Sequence, residues 1–396
     1  MIERDSPYDR PFWFSYAANF TLQAMVAFLF RYSDFVRVNG GDEFDLGLIV
    51  GVGMIGSLSM RAAQGIAIDR IGPRKIWLGS VVLILIGLLG HLTVHSARDF
   101  PVYLFRIFYM TGLAGAYGAS ITFTFQRVKP QQMAEAVGTL GTSGFLGLIL
   151  GSYGSDWLCP GPDVSRSEIL HIFYAAIGLM IVSFVVAWCA TAGAVPPPIR
   201  RRPPMWSVIR RYHPGSLMLM SGVMGFGIAL PYNFLRPYQA ELGINGLGLF
   251  FTVYAITAFV SRLTVRGWPE KYGNRPMIMA GMLFLILSIF LYLPVRENWQ
   301  LVFPGLASGV SHAVLFPAIV AGGSSAFPNR YRGLGTSLML AMFDVGTLIG
   351  APSVGGLLKL AKLLNWPPFP SMFVFVATVL IVATGYFAFL GKRDKP

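Results

Sequence analysis

The sequence predicts an all-α polytopic membrane protein, with twelve transmembrane helices arranged as two pseudo-symmetric six-helix bundles. Composition is the first observation behind this fold class: 54% of the 396 residues are hydrophobic and only 12% are charged, whereas a soluble domain carries about 25% charged residues. The second is a series of uncharged runs long enough for the helix of about 20 residues that crosses a bilayer. The third is an internal repeat that relates the two halves of the chain.

The predicted spans are numbered helix 1 to helix 12 in chain order. Helices 1, 3, 6, 9 and 12 are the clearest, because their runs contain no charged residue. So many long apolar runs exclude a soluble protein whose helices are merely buried in a core. In order, the spans cover residues 11–30, 46–63, 76–94, 101–125, 136–155, 169–190, 215–235, 246–264, 277–295, 300–324, 334–358 and 371–391.

The net charge of +13 orients the protein and does not require a nucleic-acid partner. If the N-terminus is cytoplasmic, 20 Lys and Arg residues fall on the inner side of the membrane and 8 on the outer side. Positive residues concentrate in the cytoplasmic loops of membrane proteins. We therefore expect a multi-pass protein of the cell inner membrane, with both termini in the cytoplasm.

A basic, proline-rich linker over residues 191–214 divides the chain into an N-terminal six-helix bundle, 1–190, and a C-terminal one, 215–396. Similarity between the two units supports this division. Five positions recur 201 residues later as the same or a similar residue: Arg61 and Arg262, Asp69 and Glu270, Arg70 and Lys271, Gly72 and Gly273, Arg74 and Arg275.

A second similarity concerns glycines at helical spacing. Gly144 and Gly147 of helix 5 resemble Gly346 and Gly350 of helix 11. Glycines let membrane helices approach closely. We therefore expect these two helices to cross at the interface of the bundles.

The link between helices 2 and 3 is the most specific motif, with the pattern G-x-x-x-D-R-x-G-x-R-K. Gly65 permits close packing, Asp69 can accept hydrogen bonds from a helix N-terminus, and the Gly72-Pro73 pair forces a turn. Arg74 and the basic residues around it hold the link on the positive side of the membrane. The motif and its degenerate copy contribute nine candidate gating residues: Gly65, Asp69, Arg70, Gly72, Arg74, Lys75, Glu270, Lys271 and Arg275.

This link resembles the loop between helices 2 and 3 of the major facilitator superfamily of secondary transporters. The resemblance implies that two bundles rock around a central cavity. It also implies that Asp69 docks beside helix 11 in the outward-open state, where Asp344 is a candidate for the same inter-bundle network, with the loop arginines as its partners. Direct contact between Asp344 and the solute is the alternative.

Two arginines lie within predicted spans at equivalent depths, Arg61 in helix 2 and Arg262 in helix 8. Charged residues inside the hydrocarbon region are costly and mark functional candidates. No acid lies within one helical turn of either residue. If both guanidinium groups face the cavity, we expect about two uncompensated positive charges there, which suits an anion. The alternative is that each arginine pairs with a helix end or a neighbouring carboxylate.

The spacing of Arg61, Gly65 and Asp69 looks like that of nitrate and nitrite porters, whose matching arginines bind the anion. Helix 5 lacks the glycine- and asparagine-rich signature of those porters, so nitrate itself is not the expected solute. Arg106 resembles the arginine of an R-x-x-x-G motif credited with proton coupling. The motif places its glycine at position 110, but this chain has Met110 there. A structural role for Arg106 is therefore the alternative.

Histidine titrates near neutral pH, so His312 in helix 10 could carry a coupled proton or contact the solute; the alternative is a neutral histidine that bonds to a neighbouring helix. Other polar and aromatic residues could line the cavity or join helices. With His312 and the two arginines, they form the candidate substrate-binding set: Asn19, Gln23, Tyr109, Asn233 and Tyr254.

The expected function is secondary active transport of a small organic solute by alternating access, with an anion favoured. A proton-coupled exporter of hydrophobic compounds and a transport-inactive membrane receptor or assembly factor are the alternatives. The sequence lacks a phosphate-binding G-x-x-x-x-G-K-[ST] loop and any catalytic constellation, so an enzyme is not expected. We expect no cofactor and no metal, and a monomer whose partners are the solute, the lipid bilayer and, where transport is coupled, a proton.

Overall fold

The computed structural model describes residues 8–129, 132–161, 163–193, 205–265 and 267–390, and these residues form helices and connecting turns without a strand among them. Twelve of the described helices are long. They are α1 Arg10–Phe28, α2 Glu43–Ile71, α3 Pro73–Leu92, α4 Phe100–Phe125, α5 Met133–Leu158, α6 Arg166–Ala190, α7 Ser216–Glu241, α8 Leu247–Thr264, α9 Asn274–Phe290, α10 Val302–Ser325, α11 Arg332–Leu363 and α12 Pro368–Leu390. Shorter helices lie between them, among them Tyr32–Val38 and Met205–Tyr212.

Length and apolar composition qualify eight of the described helices to cross a membrane: α2, α3, α6, α7, α8, α10, α11 and α12. Helix α9 is apolar but spans only 17 residues. Many large apolar side chains on these helices are exposed rather than packed, as expected of a surface that faces lipid. Examples are Val182, Leu263, Leu283 and Val382.

The turn between α2 and α3 has the geometry that the motif predicts. Gly72 has φ +84° and ψ 156°, and Pro73 occupies the first turn of α3, where a missing N–H costs nothing. Gly273, the repeat partner of Gly72, has φ +80° and ψ 162° just before α9. Positive φ is cheap only for glycine. The two halves therefore share this turn in conformation as well as in sequence.

The helices pack with the same pattern in each half. In the N-terminal bundle α1 packs on α5 and α2 packs on α4, and in the C-terminal bundle α7 packs on α11 and α8 packs on α10. The bundles meet along two seams, α2 against α11 and α5 against α8. Helices α5 and α11 therefore each cross a helix of the opposite bundle, and they are not extensively packed on each other.

The close packing of glycines shows which positions of α5 and α11 correspond to each other in the repeat. A Cβ atom at Gly147 would collide with the Phe20 carbonyl oxygen and the Ala24 nitrogen of α1. One at Gly346 would collide with the Gly222 carbonyl oxygen and the Phe226 nitrogen of α7, the same pair of backbone atoms one turn apart. Gly147, not Gly144, is thus the structural counterpart of Gly346.

The sequence-based pairing of Gly144 with Gly346 is therefore wrong by about one helical turn. A Cβ atom at Gly144 would meet open space, so close packing does not require a glycine there. With Gly147 matched to Gly346, Asp344 of α11 corresponds to Phe145 of α5. We call the end of the molecule where α1 ends and α2 begins the outer end, and the opposite end the inner end.

Candidate functional site

Arg61 of α2 pairs with Asp344 of α11 across one seam between the bundles. Its Nε atom lies 2.5 Å from Asp344 Oδ2. Ser57, one turn earlier on α2, donates a hydrogen bond to the same oxygen at 2.6 Å. Asp344 is buried and the Arg61 side chain is mostly so. The pair thus joins the two bundles from the interior parts of α2 and α11, away from the ends of both helices.

Arg262 lies at the other seam and has a different partner. Its guanidinium carbon is 5.3 Å from the centroid of the Phe145 ring of α5, a cation–π distance. Its Nε atom is buried without a hydrogen-bond partner. Within the described part of the chain, no carboxylate pairs with Arg262. The two repeat-related arginines therefore differ: one is neutralised and one keeps its charge.

The expectation of two uncompensated charges in one cavity is wrong for Arg61. Residues that are distant in sequence supply its partner: Asp344 lies 283 positions away, on a helix of the other bundle. Asp344 pairs with this mid-helix arginine and not with the loop arginines Arg70 and Arg74. The loop arginines lie at the inner end, where Arg70 is exposed and Arg74 stacks on Trp188 of α6 at 4.7 Å.

Three aromatic side chains of the C-terminal bundle form a hydrogen-bonded chain next to Arg262. Tyr232 of α7 donates to Tyr254 Oη of α8 at 2.9 Å. The Tyr254 hydroxyl lies 2.8 Å from His312 Nδ1 of α10, and the His312 ring stacks on Phe316. Tyr232 and His312 are partly exposed, and Tyr254 is buried. The structure thus brings together two of the predicted candidates, Tyr254 and His312.

The polar candidates of α1 join helices within the N-terminal bundle. Asn19 is buried, accepts a hydrogen bond from Ser120 of α4 at 2.9 Å and donates to the Ser15 carbonyl at 3.0 Å. Gln23 is partly exposed and accepts a hydrogen bond from Tyr117 of α4. Asn19 is therefore a structural contact between α1 and α4, whereas Gln23 also has an exposed face.

Tyr109 and Arg106 belong to the interior of the N-terminal bundle. Tyr109 is 3% exposed, so its ring packs inside the bundle in this structure, and its contact with a solute stays a prediction. The Arg106 guanidinium is buried and lies 4.2 Å from the Tyr32 ring centroid and 5.0 Å from that of Tyr109. Asn233 of α7 is partly exposed and donates to the Ala229 carbonyl of its own helix at 2.8 Å.

The candidate gating residues occupy the inner end. Gly65 and Asp69 lie in α2 and Glu270 in a short helix before α9, but the side-chain environments of these three positions fall outside the described part of the structure. Lys75 and Lys271 are exposed. Arg275 of α9 donates to the Ala388 carbonyl of α12 at 2.8 Å, so it ties two helices of one bundle.

The outer end holds a set of charged residues that sequence analysis did not single out. Arg31, Asp34 and Arg236 are each 3% exposed or less, and Arg236 Nε lies 2.9 Å from Asp34 Oδ2 across the bundles. Asp156 of α5 pairs with Arg31 at 2.9 Å. Their positions near predicted helix ends resembled ordinary interfacial charges. Only the buried inter-bundle contact distinguishes them.

Among the described residues, no group of three or more His, Cys, Asp or Glu side chains could hold a metal ion. At the start of α2, Asp42 caps its own helix. Partial burial raises the pKa of Asp42, but hydrogen bonds from the Asp45 and Phe44 N–H groups and the nearby Lys359 and Arg98 outweigh it and hold the pKa below its ordinary value.

The model of the Major Facilitator Superfamily matches the chain over residues 12–263 and 214–396. The uncharacterized MFS-type transporter YhhS of Escherichia coli (strain K12) is 21% identical over 378 residues, 93% of this chain and 89% of that protein. Multidrug resistance protein 1 of Bacillus subtilis (strain 168) is 25% identical over 168 residues, and this alignment covers only 42% of each chain.

A crystal structure of the nucleoside transporter NupG has the same fold. It superposes with a TM-score of 0.75 at 13% identity, over 97% of this chain and 100% of that one. At this identity the likeness concerns the fold, and it agrees with twelve transmembrane helices in two bundles.

Proposed function

The chain belongs to the Major Facilitator Superfamily, and we propose that the small solute it transports is an organic anion with a single negative charge, bound at Arg262 between the bundles. Membership makes it a multi-pass inner-membrane secondary transporter and not an enzyme. The observation that carries the proposal is the difference between the seams: Asp344 neutralises Arg61, whereas Phe145 faces Arg262 at the corresponding position.

Arg262 is partly exposed but its Nε atom is buried, and a cation largely removed from water without a counter-ion is costly in the absence of a ligand. An anion that binds at Arg262 offsets that cost, and the planar guanidinium can hold a carboxylate with two parallel hydrogen bonds. One unpaired arginine matches one negative charge. The substrate site therefore favours a monoanion over a dianion, in contrast to the two-charge cavity that the sequence alone suggests.

The rest of the solute has partners close by. The Tyr232 hydroxyl and the His312 imidazole, both partly exposed, can exchange hydrogen bonds with polar groups, and the buried Tyr254 hydroxyl links them. The Phe145 ring offers an apolar face. His312 is also the candidate for a coupled proton, because imidazole titrates near neutral pH. Gln23 and Asn233, both partly exposed, complete the proposed lining.

We propose the topology and organisation that the charge distribution predicts. The N-terminal unit covers residues 1–190 and the C-terminal unit 215–396, joined by the linker 191–214, with both termini in the cytoplasm and the monomer as the working form. The inner-end motif around Asp69 acts as a gate in this scheme, and Asp344 acts with Arg61 as an inter-bundle contact and not as a solute ligand.

Replacement of Phe145 by Asp tests the site. Phe145→Asp gives Arg262 the counter-ion that Arg61 has, so the anion loses its advantage and binding should fall at least tenfold. Phe145→Leu is the matched control, because it removes the ring without adding charge. Binding is measured as the shift in melting temperature of the purified protein with a panel of small monocarboxylates, dicarboxylates and uncharged analogues.

Arg262→Lys and Arg262→Gln complete the series. Lysine keeps the charge but loses the planar fork, so binding of a monocarboxylate should weaken. Glutamine removes the charge and should abolish binding while the protein still purifies as a monodisperse species. Equal binding by wild type, Phe145→Asp and Arg262→Gln would reject the anion site.

The alternative substrate is a hydrophobic compound exported against a proton, which the similarity to Multidrug resistance protein 1 favours. Such an exporter needs an acidic residue that faces the cavity from α1, α4 or α5. In the described parts of these helices, acids occur only near the ends of α5, at Glu135 and Asp156. Stabilisation of the purified protein by lipophilic cations, with no response to carboxylates, would favour this alternative.

A further inference from the structure

The two seams between the bundles close differently at the outer end. Where α2 begins, its ion pairs with α11 lie at the surface: Lys362 with Glu43 at 2.7 Å, and Lys359 with Asp42 at 3.6 Å. Both lysine side chains are about half exposed, at 47% and 50%. Exposed pairs of this kind contribute little to stability because water and salt screen them.

The seam between α5 and α8 is closed by a mostly buried carboxylate, whose side chain is 17% exposed. The Asp156 side chain, on the last turn of α5, accepts hydrogen bonds from the backbone N–H groups of Leu247 at 3.0 Å and Gly248 at 2.7 Å. These are the first two residues of α8, in the other bundle. Gly246, which precedes α8, has no capping side chain, so Asp156 caps α8 from the opposite bundle.

Arg31 completes this contact from the N-terminal side. Its guanidinium is fully buried and reaches both Asp156 Oδ1 and Asn245 Oδ1 at 2.9 Å. Asn245 belongs to the turn before α8 and donates in return to the Cys159 and Pro160 carbonyls. The glycine at 248 leaves room for the Tyr153 ring, one turn before Asp156. The end of α5 and the start of α8 are therefore interlocked.

A second ion pair, buried on both sides, extends the same surface. Arg236, near the end of α7, reaches Asp34 in the short helix Tyr32–Val38 at 2.9 Å, and Asp34 also contacts Arg31 at 3.4 Å and Arg37 at 3.6 Å. We call Arg31, Asp34, Asp156, Arg236 and Asn245 the outer latch. All contacts between its N-terminal members and Arg236, Asn245 or α8 must break before the outer end can open.

We propose that the outer latch, with Asp156 as its central carboxylate, holds the transporter in the conformation with a closed outer end, and that the exposed α2–α11 ion pairs do not. The inference rests on the proposed rocking of two bundles but not on the identity of the solute. A helix N-terminus favours an anion, and Asp156 supplies one only while the outer end is closed. Opening exposes the α8 N–H groups, separates Arg31 from Asn245 and separates Asp34 from Arg236.

The test compares Asp156→Asn with Glu43→Gln, the matched neutral change at the exposed seam. Spin labels on Phe100→Cys and Trp299→Cys report the distance across the outer end, because these exposed residues lie at the start of α4 and just before α10. The native cysteines, Cys159 and Cys189, are replaced by serine. In proteoliposomes, the ratio of open to closed outer ends should rise about ten- to a hundredfold for Asp156→Asn and less than about fivefold for Glu43→Gln.

An unchanged ratio in Asp156→Asn, or an equal change in both variants, would overturn the proposal. Asn245→Ala provides a second variant if Asp156→Asn fails to fold. It removes the Asn245 side chain, which accepts a hydrogen bond from Arg31 and donates to the Cys159 and Pro160 carbonyls after α5, but it keeps the Asp156 carboxylate. The open fraction should therefore also rise, but by a smaller factor. No change there would likewise contradict the latch. The distances need no solute, so a failure of the anion site in binding experiments leaves this test unaffected.

Discussion

The Arg262 guanidinium lies over the Phe145 ring at the position where, in the other seam, Arg61 pairs with Asp344. The arginines correspond through the 201-residue repeat, and Phe145 corresponds to Asp344 through the matched packing of Gly147 and Gly346. A near-symmetric scaffold thus carries a local asymmetry in charge. The free charge sits on one side of the interface, which is the basis for assigning the anion to Arg262.

Asp344→Asn should convert the neutral seam into a second positive one. Asparagine has nearly the same shape but cannot neutralise Arg61, so the interface gains one uncompensated charge. Relative to monocarboxylates, dicarboxylates should then gain about tenfold in affinity, the effect of roughly 1.4 kcal/mol. Ser57→Ala is the control, since it removes a hydrogen bond to Asp344 but keeps the ion pair. An unaltered order of affinities in Asp344→Asn would show that Arg61 is not accessible to the solute.

A double-mutant cycle of Arg61→Gln and Asp344→Asn should give a coupling energy of about 1.5–3 kcal/mol, the range for hydrogen bonds to charged groups. Each single change leaves a buried group without its partner, whereas the double change removes both charges. The double variant should therefore be more stable than the sum of the single effects implies. Denaturant unfolding of the detergent-solubilised protein measures the cycle, and additive effects would exclude a direct interaction.

Much of this architecture follows from local sequence. Apolar runs predict the helices because a bilayer span has a fixed length, and the Gly72-Pro73 turn is predicted because positive φ demands glycine. The repeat predicts its counterpart at Gly273. Partners across the bundles do not follow in this way. The sequence aligns Gly144 with Gly346, whereas the structure aligns Gly147 with it. This error of one helical turn conceals that Phe145 occupies the position equivalent to Asp344.

The sequence does not predict the outer latch either, for a related reason. Asp156 looks like a charge near the end of a span, a common position for interfacial residues. Its role depends on the approach of α8 from the other bundle, and the α8 N–H groups that it caps are backbone atoms with no side-chain signature. Sequence spacing alone cannot reveal such a contact, because nearly every residue has the same N–H group.

Tyr254→Phe should destabilise the C-terminal bundle by about 1–3 kcal/mol, because it removes two hydrogen bonds of a buried hydroxyl, each contributing about 0.5–1.5 kcal/mol. Tyr254 bonds to Tyr232 on one side and His312 on the other. Tyr232→Phe removes only the donor at the end of this chain and should cost less. Thermal unfolding of both variants measures the difference. A larger loss in Tyr232→Phe would contradict the central position of Tyr254.

The orientation is testable at the short helix Met205–Tyr212, which lies at the end of the linker. A cysteine at Ser207 should be shielded from an impermeant thiol reagent in intact cells, and it should react once the membrane is permeabilised. A cysteine at Ser165, in the outer-end turn before α6, should react in both cases. Both use a background without native cysteines. Labelling at 207 but not at 165 in intact cells would reverse the topology.

Asp69→Asn should have the opposite effect to Asp156→Asn on the conformational equilibrium. In the proposed scheme Asp69 stabilises the conformation with a closed inner end. Loss of one charge-assisted contact of about 1.5–3 kcal/mol should therefore favour the closed outer end by roughly ten- to a hundredfold. The same spin-label pair at positions 100 and 299 measures both variants, and Lys129→Gln, at an exposed inner-end position outside the motif, is the control.

The double variant Asp69→Asn/Asp156→Asn provides the sharpest test of the two gates. The residues lie at opposite ends of the molecule, and effects at distant sites usually add to within about 0.3–0.5 kcal/mol. The two shifts should therefore cancel, so that the ratio of open to closed outer ends returns to within several-fold of the wild-type value. Transport should not recover to the same degree, because both barriers of the cycle have changed. A double variant that behaves like either single variant would show that the two residues act on one gate and not on two.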